Sequence, residues 1–210
     1  DLEAGEYAQQ FGRGLDRNFY TTTYNSREIF TAETRSVSLQ DFPPGALGAL
    51  EAFKTSTADL IEPGIAGEVN VRSRRPFDFK GFEVDGSVWA LHPRQAGDWT
   101  PNGNLLITDR WHVGDEGEFG ALLDFSYTNM HYLDSLSSNS YYVAPSIGPT
   151  GFRGPDWPFV EYHEAHRYRP SLNGAIQYRA SPDLEFYVEG LWQGFRQHIE
   201  DRHFEQAIWG

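Results

Sequence analysis

The sequence has 210 residues and sets 30 acidic against 17 basic side chains, a formal charge of -13; so acidic a chain is a poor match for a phosphate backbone, and nucleic acid is not an expected partner. Cysteine is absent, which excludes disulfides, thiolate zinc sites and cysteine nucleophiles together. Aromatics at 15% argue against disorder, and no apolar run approaches the roughly 20 residues of a transmembrane helix, so a helical membrane protein is excluded while a transmembrane β-barrel is not.

Residues 1 to 42 carry little periodicity. The β-branched and aromatic run from Asn18 to Tyr24 reads as a strand, Asn25-Ser26 as a tight turn, and Glu28-Ile29-Phe30 as its return. Thr34 to Leu39 alternates as a further short strand. Pro43-Pro44-Gly45 predicts a helical turn through Ala49, because proline is tolerated at a helix start. A strand with Leu50, Ala52 and, after a phase slip, Phe53 on one face is predicted to follow it. Pro63 to Gly67 is a glycine-rich connection, and Val69 and Val71 mark a strand ending at Arg74-Arg75 before Pro76.

After Pro76 the pattern changes. Phe82, Val84, Gly86, Val88 and Ala90 fall on one face, with Glu83, Asp85 and Ser87 on the other. That is period-two alternation over about nine residues, the length of a membrane-crossing strand. His92 to Asn102 reads as a loop. Leu105 to Val113 is a second strand, in which Asp109 and Arg110 leave the inward face ambiguous. Phe119, Ala121, Leu123, Phe125 and Tyr127 form the apolar face of a third. Residues 134 to 165, rich in Ser, Gly, Pro and aromatics, read as a long loop. Leu172, Gly174, Ile176 and Tyr178 mark a fourth strand. Leu184, Phe186, Val188, Gly190 and Trp192 mark a fifth that continues toward His198. The alternation of short turns with longer loops fits an outer-membrane barrel and also a soluble antiparallel meander. Both ends read as those of a piece of a longer protein.

Three passages carry a resemblance. The first is Arg13-Gly14-Leu15-Asp16-Arg17-Asn18-Phe19 with Thr21-Thr22-Thr23 and Asn25-Ser26-Arg27-Glu28. The second is Gly45 to Asp59. The third is Ile65-Ala66-Gly67-Glu68-Val69-Asn70-Val71-Arg72-Ser73-Arg74-Arg75-Pro76-Phe77-Asp78. In order and spacing they resemble the plug of TonB-dependent outer-membrane receptors, with Ala66 in place of a family glycine and Ser73 where threonine is usual. The Arg-Arg-Pro-Phe-Asp variant looks like the large receptors of Caulobacter- and Xanthomonas-type bacteria.

The resemblance implies a mainly β fold. A C-terminal part of an α+β plug domain would occupy 1–78, and about five antiparallel strands of an incomplete transmembrane β-barrel would occupy 79–210. It implies TonB-dependent uptake of a scarce nutrient, a carbohydrate by subfamily likeness or an iron chelate as the alternative, in the outer membrane of a Gram-negative bacterium. No covalent chemistry and no cofactor are implied. The partners would be TonB, engaged through a segment upstream of those matched here, outer-membrane lipid and the small-molecule nutrient. The plug-motif positions are Arg13, Gly14, Asn25, Gly67, Val69, Asn70, Arg74, Arg75 and Pro76.

In a barrel entered at residue 79, the 134–165 loop would be extracellular. Tyr141, Tyr142, Phe152, Trp157, Phe159 and Tyr162 could stack on a ligand there, and Arg153 and Asp156 could hydrogen-bond it; the same aromatics could instead be loop packing or an interfacial girdle. Trp111, Tyr127 and Trp192 read as wall residues. Arg13, Arg74 and Arg75 are placed to pair with Glu185 and Glu189.

Two rival classes remain. A glycoside hydrolase would need two facing carboxylates, which 30 acids supply by chance. Glu161, His163, Glu164 and His166, and His198 with His203, look like metal ligands, but His163 and His166 face opposite ways on a strand, and no metal site is expected. A secreted carbohydrate-binding β module would share the aromatics, the acidity and the alternation.

Overall fold

The computed structural model describes residues 2–3, 6–7, 19–29, 42, 45, 47–55, 57–58, 60–61, 64–114, 116–143 and 153–206, with backbone alone for 2–3, 6–7, 140–143 and 153–156. The chain is mainly β with almost no helix. Strands β1 (Leu2–Glu3) and β2 (Glu6–Tyr7) pair with each other. A mixed four-stranded sheet is built from β3 (Tyr20–Tyr24), β4 (Arg27–Glu28), β5 (Leu47–Phe53) and β6 (Gly67–Ser73), in the order β4-β3-β6-β5. β3 and β6 run parallel and the other pairs antiparallel. Asn25 and Ser26 turn β3 into β4 with φ of 51° and 60°, the left-handed pair of a tight hairpin turn.

The second sheet is antiparallel throughout. It contains β7 (Glu83–Leu91), β8 (Thr100–Val113), β9 (Gly117–Val143), β10 (Arg153–Ser181), β11 (Leu184–Gln193) and β12 (Arg196–Glu205). Its order is β7-β8-β9-β10, with β11 and β12 end to end along the far side of β10. The fifth predicted strand does run past His198, but with a break. Pro170 of β10 has no N–H to give, so the ladder lapses at Gly194–Phe195, where Gly194 N–H donates to the Pro170 carbonyl at 2.8 Å.

Two expectations are corrected. Residues 47–53 form one strand and no helical turn, because all but the bulged Gly48 find a partner on β6. Leu47, Ala49, Glu51 and Phe53 are its half-buried set, and Leu50 is exposed. The larger correction concerns 134–165. Only 144–152 separates β9 from β10; their ladder runs from Glu118–Arg179 up to Val143–Arg153, with one register shift between Pro155 and Trp157. The predicted strand at 34–39 lies outside the described residues.

The large sheet has an inverted dress. Cross-strand register places Val84, Leu105, Ile107, Leu123, Phe125, Leu172, Ile176 and Val188 on one face. That apolar face is open, with Leu123 52% and Val188 74% exposed. The opposite face carries Thr108, Asp124, Ser126, Asn173 and Gln177, all nearly inaccessible. Tyr24, Gly45, Arg75 and Phe77 contact it, and among the described residues its apolar centre is small, Leu106, Leu122 and Ala175 under Phe79.

Candidate functional site

The covered polar face meets the mixed sheet through a set of specific contacts. Pro76–Asp78 forms a 3-10 turn, started by a proline whose fixed φ suits it. Pro76 is packed against Gly120, where a Cβ would come within 2.6 Å of it. Phe77 N–H donates to Gln177 Oε1 at 2.8 Å, and the guanidiniums of Arg110 and Arg179 lie 4.9 and 4.7 Å from the Phe77 ring centroid. Both arginines also pair with Glu118.

Glu189 is the centre of the charge arrangement. Its side chain is 3% exposed and takes Arg75 through two hydrogen bonds of 3.0 and 3.3 Å, with Arg27 at 2.9 Å. Arg75 also lies over the Tyr187 ring at 4.2 Å. The expected contact between Arg75 and Glu189 is present. Arg74 instead donates to the Leu47 carbonyl and lies 3.7 Å from Asp85, Glu185 pairs with Arg179, and Arg13 and Gly14 lie outside the described residues.

The remaining motif positions serve the mixed sheet. Asn25 donates from Nδ2 to Ser73 Oγ and accepts Ser73 N–H at 2.8 Å. Buried Asn70 donates to Glu51 at 2.9 Å and accepts Ser26 N–H at 2.8 Å. Thr23, also buried, donates to Glu68 at 2.7 Å. Val69 is central in β6, opposite Thr22 and Ala52. Gly67 sits at φ +134°, and a Cβ there would stand 2.4 Å from the Phe53 carbonyl oxygen. Tyr24 reaches across to the large sheet, its hydroxyl donating to Asn173 Oδ1 at 3.3 Å; burial pushes that hydroxyl above its ordinary pKa.

The predicted ligand residues belong to a crest, the part of β9, β10 and β12 beyond the apolar band. They do not line a loop. Tyr141 and Tyr142 lie in β9, paired along the backbone with Pro155 and Gly154, and Arg153 pairs with Val143. Asp156 sits at the register shift, and Phe152 lies outside the described residues. Trp157 is 45% and Tyr162 46% exposed, and the Phe159 ring stacks on His203 at 5.7 Å. Alternation sends Trp157 and Phe159 to one face and Tyr162 to the other, so they do not form a single aromatic platform.

The crest also sorts the histidines. His163 lies with Glu161, Asp201 and His203 on one face. Asp201, hydrogen-bonded at 2.6 Å, holds His163 above its ordinary pKa, and Glu161 adds to the effect. His166 and Glu164 fall on the opposite face, as expected. There they meet His131, which no sequence pattern singles out because it is 35 positions away and arrives through the β9–β10 register.

Compared with known protein families, curated proteins and solved structures, the chain matches none of them. The functional reading therefore rests on its own residues.

Proposed function

We propose that this chain is part of a TonB-dependent outer-membrane receptor, with residues 1–78 from the plug and 79–210 from the barrel wall, and that it takes part in uptake of a carbohydrate nutrient. The observation that carries this reading is the inverted large sheet. In water an exposed face of Val, Leu, Ile, Phe and Trp beside a buried face of Asp, Asn, Gln and Ser costs free energy on both sides. In lipid the same arrangement is favourable: the apolar face meets acyl chains and the polar face lines a filled lumen.

The depth of the band agrees. Trp111, Phe119, Tyr178 and Phe186 stand in one transverse row at the short-turn end. Tyr127 and Trp192 stand near the other end, and Leu, Ile and Val lie between. Phe119 to Tyr127 spans nine residues, within the roughly 9–11 that a tilted strand uses to cross a bilayer. Asp109 interrupts the band one pair inside the first row, and its carboxylate accepts its neighbour's N–H at 2.7 Å. A secreted module gains nothing from this wall, so it is the weaker reading. The outer edges of β7 and of β11 with β12 would need further strands, since unpaired backbone is costly in lipid.

The plug would be held by polar contacts, among them Arg75 and Arg27 on Glu189, which can exchange with water when the plug moves. The aromatic crest would reach outside the membrane, where Trp157 and Tyr162 are free to stack on sugar rings. The test is fractionation of the native protein followed by uptake. The expected result is a protein that sediments with outer membranes, needs detergent for release, and supports growth on candidate oligosaccharides only with TonB present. A protein that stays monodisperse in buffer without detergent would sink the receptor reading. Loss of growth on chelated iron alone would keep the receptor and change its cargo.

A further inference from the structure

We propose that His131, Glu164 and His166 form a binding site for a divalent transition-metal ion of the zinc type, on the crest and separate from the contacts that hold the two sheets together. The inference does not rest on the membrane reading. His131 of β9 lies directly opposite His166 of β10, and their rings stack with centroids 3.8 Å apart. Glu164 is two residues from His166 on the same face of the strand. One ligand atom from each of the three lies within 4.8 Å of the others. A tetrahedral ion with bonds of about 2.0–2.1 Å separates its ligand atoms by roughly 3.3 Å; the two rings stand 10° from parallel, so closure requires one imidazole to turn out of the stack until both ring planes meet at the ion.

His131 stands between two carboxylates, and the second of them, Glu164, also has Arg202 at 3.6 Å. The His131 side chain is 7% exposed; Nδ1 lies 2.8 Å from Asp98 Oδ2, and Nε2 lies 3.2 Å from Glu164 Oε1. A neutral imidazole carries one N–H and cannot donate to both carboxylates. A second proton on His131 would satisfy both, and a metal ion on Nε2 is the alternative. It replaces one proton, takes Glu164 as a second ligand, and leaves Nδ1–H donating to Asp98. That is the carboxylate–histidine–metal relation by which outer groups orient a ligand ring.

Two imidazoles and one carboxylate suit zinc, copper or nickel, whereas calcium and magnesium prefer all-oxygen sets. The three ligand atoms close to one another are those of His131, Glu164 and His166; the register adds a neighbour to them. His198 of β12 lies directly opposite His166, so three histidines stand in one row across three adjacent strands, and Glu200 lies opposite Glu164 in the next row. An ion held by the three grouped ligands would tie β9 to β10.

The test is calorimetric titration of the full chain, kept dispersed in detergent, with zinc chloride, and with magnesium chloride as control. The expected result is one zinc per chain and no magnesium. Zinc binding is expected to be lost in His166→Ala and Glu164→Gln, kept in His163→Ala on the opposite face, and weakened about 10- to 100-fold in Asp98→Asn. Far-UV circular dichroism of each metal-free variant separates lost binding from lost folding. A second readout needs no variant: copper(II) bound to the wild-type chain should show imidazole nitrogen couplings in its paramagnetic resonance spectrum. Failure of the wild type to bind zinc, zinc binding that survives His131→Ala and His166→Ala together, or loss of the site in His163→Ala would each overturn the proposal.

Discussion

At the scale of single residues, Glu189 has the most depending on it. Its nearly inaccessible carboxylate receives two arginines, Arg27 from β4 of the mixed sheet and Arg75 from the start of the 3-10 turn. Glu189→Ala leaves both guanidiniums without that partner, although Arg27 is half exposed and can return to water. Arg75→Ala leaves Glu189 still paired with Arg27. The expected order is therefore Glu189→Ala worse than Arg75→Ala, with about 1–3 kcal/mol lost in the first case, read from denaturant midpoints in detergent. His163 gives a pH prediction. Its folded pKa is raised by Asp201, so the pair's contribution is fully present below the unfolded value of about 6.5 and is lost as pH rises through the raised folded value. The stability difference between wild type and His163→Gln should shrink as pH rises from about 6.5 through the raised folded value. The effect should be small, because the pair is exposed. A difference that grows with pH would contradict the assignment.

At the scale of elements, β6 depends on its first residue. Gly67 combines a left-handed φ with a carbonyl where a Cβ would go. Gly67→Ala should cost about 1–3 kcal/mol through backbone strain and should raise protease sensitivity in 47–73 before the large sheet is affected. The elements also show what the sequence could and could not reveal. Wherever one face is apolar the alternation was legible: 119–127, 172–178 and 184–192 emerge as strands with those faces, and 82–90 does so from Glu83 onward, Phe82 lying just outside β7. The Asn25-Ser26 turn and the pairing of Arg75 with Glu189 were also within reach. The crest was not. Ser135, Ser137, Ser138 and Asn139 with Pro155 and Pro158 carry loop chemistry, and only cross-strand pairing makes them strands. The same pairing assembles His131 with His166, which no local spacing could announce. The helical turn expected after Pro44 failed because pairing with β6 outweighs a helix-start signal.

At the scale of the whole molecule, the decisive question is which solvent the apolar face meets. Leu123 is central in that face and 52% exposed. In a bilayer, Leu123→Arg should cost about 2–4 kcal/mol; on a water-facing sheet it should change stability by less than about 0.5 kcal/mol. Measuring the variant in lipid vesicles and in detergent-free buffer distinguishes the two. Strand length adds to the picture. β10 has 29 residues, against the roughly 9–11 that cross a bilayer, so most of that strand would stand clear of the membrane.

The inverted sheet also constrains the order of events during folding. A chain released from denaturant into plain water meets the solvent for which its surface is wrong, and its Leu, Val and Phe side chains will gather before Asn173 and Gln177 can find Tyr24 and Phe77. Such a collapse is inside out relative to the native arrangement. Detergent supplied afterwards would then have to reverse it. Refolding by dilution straight into micelles should therefore recover native protein, whereas dilution into buffer with detergent added later should leave aggregate, even though both mixtures end with the same composition.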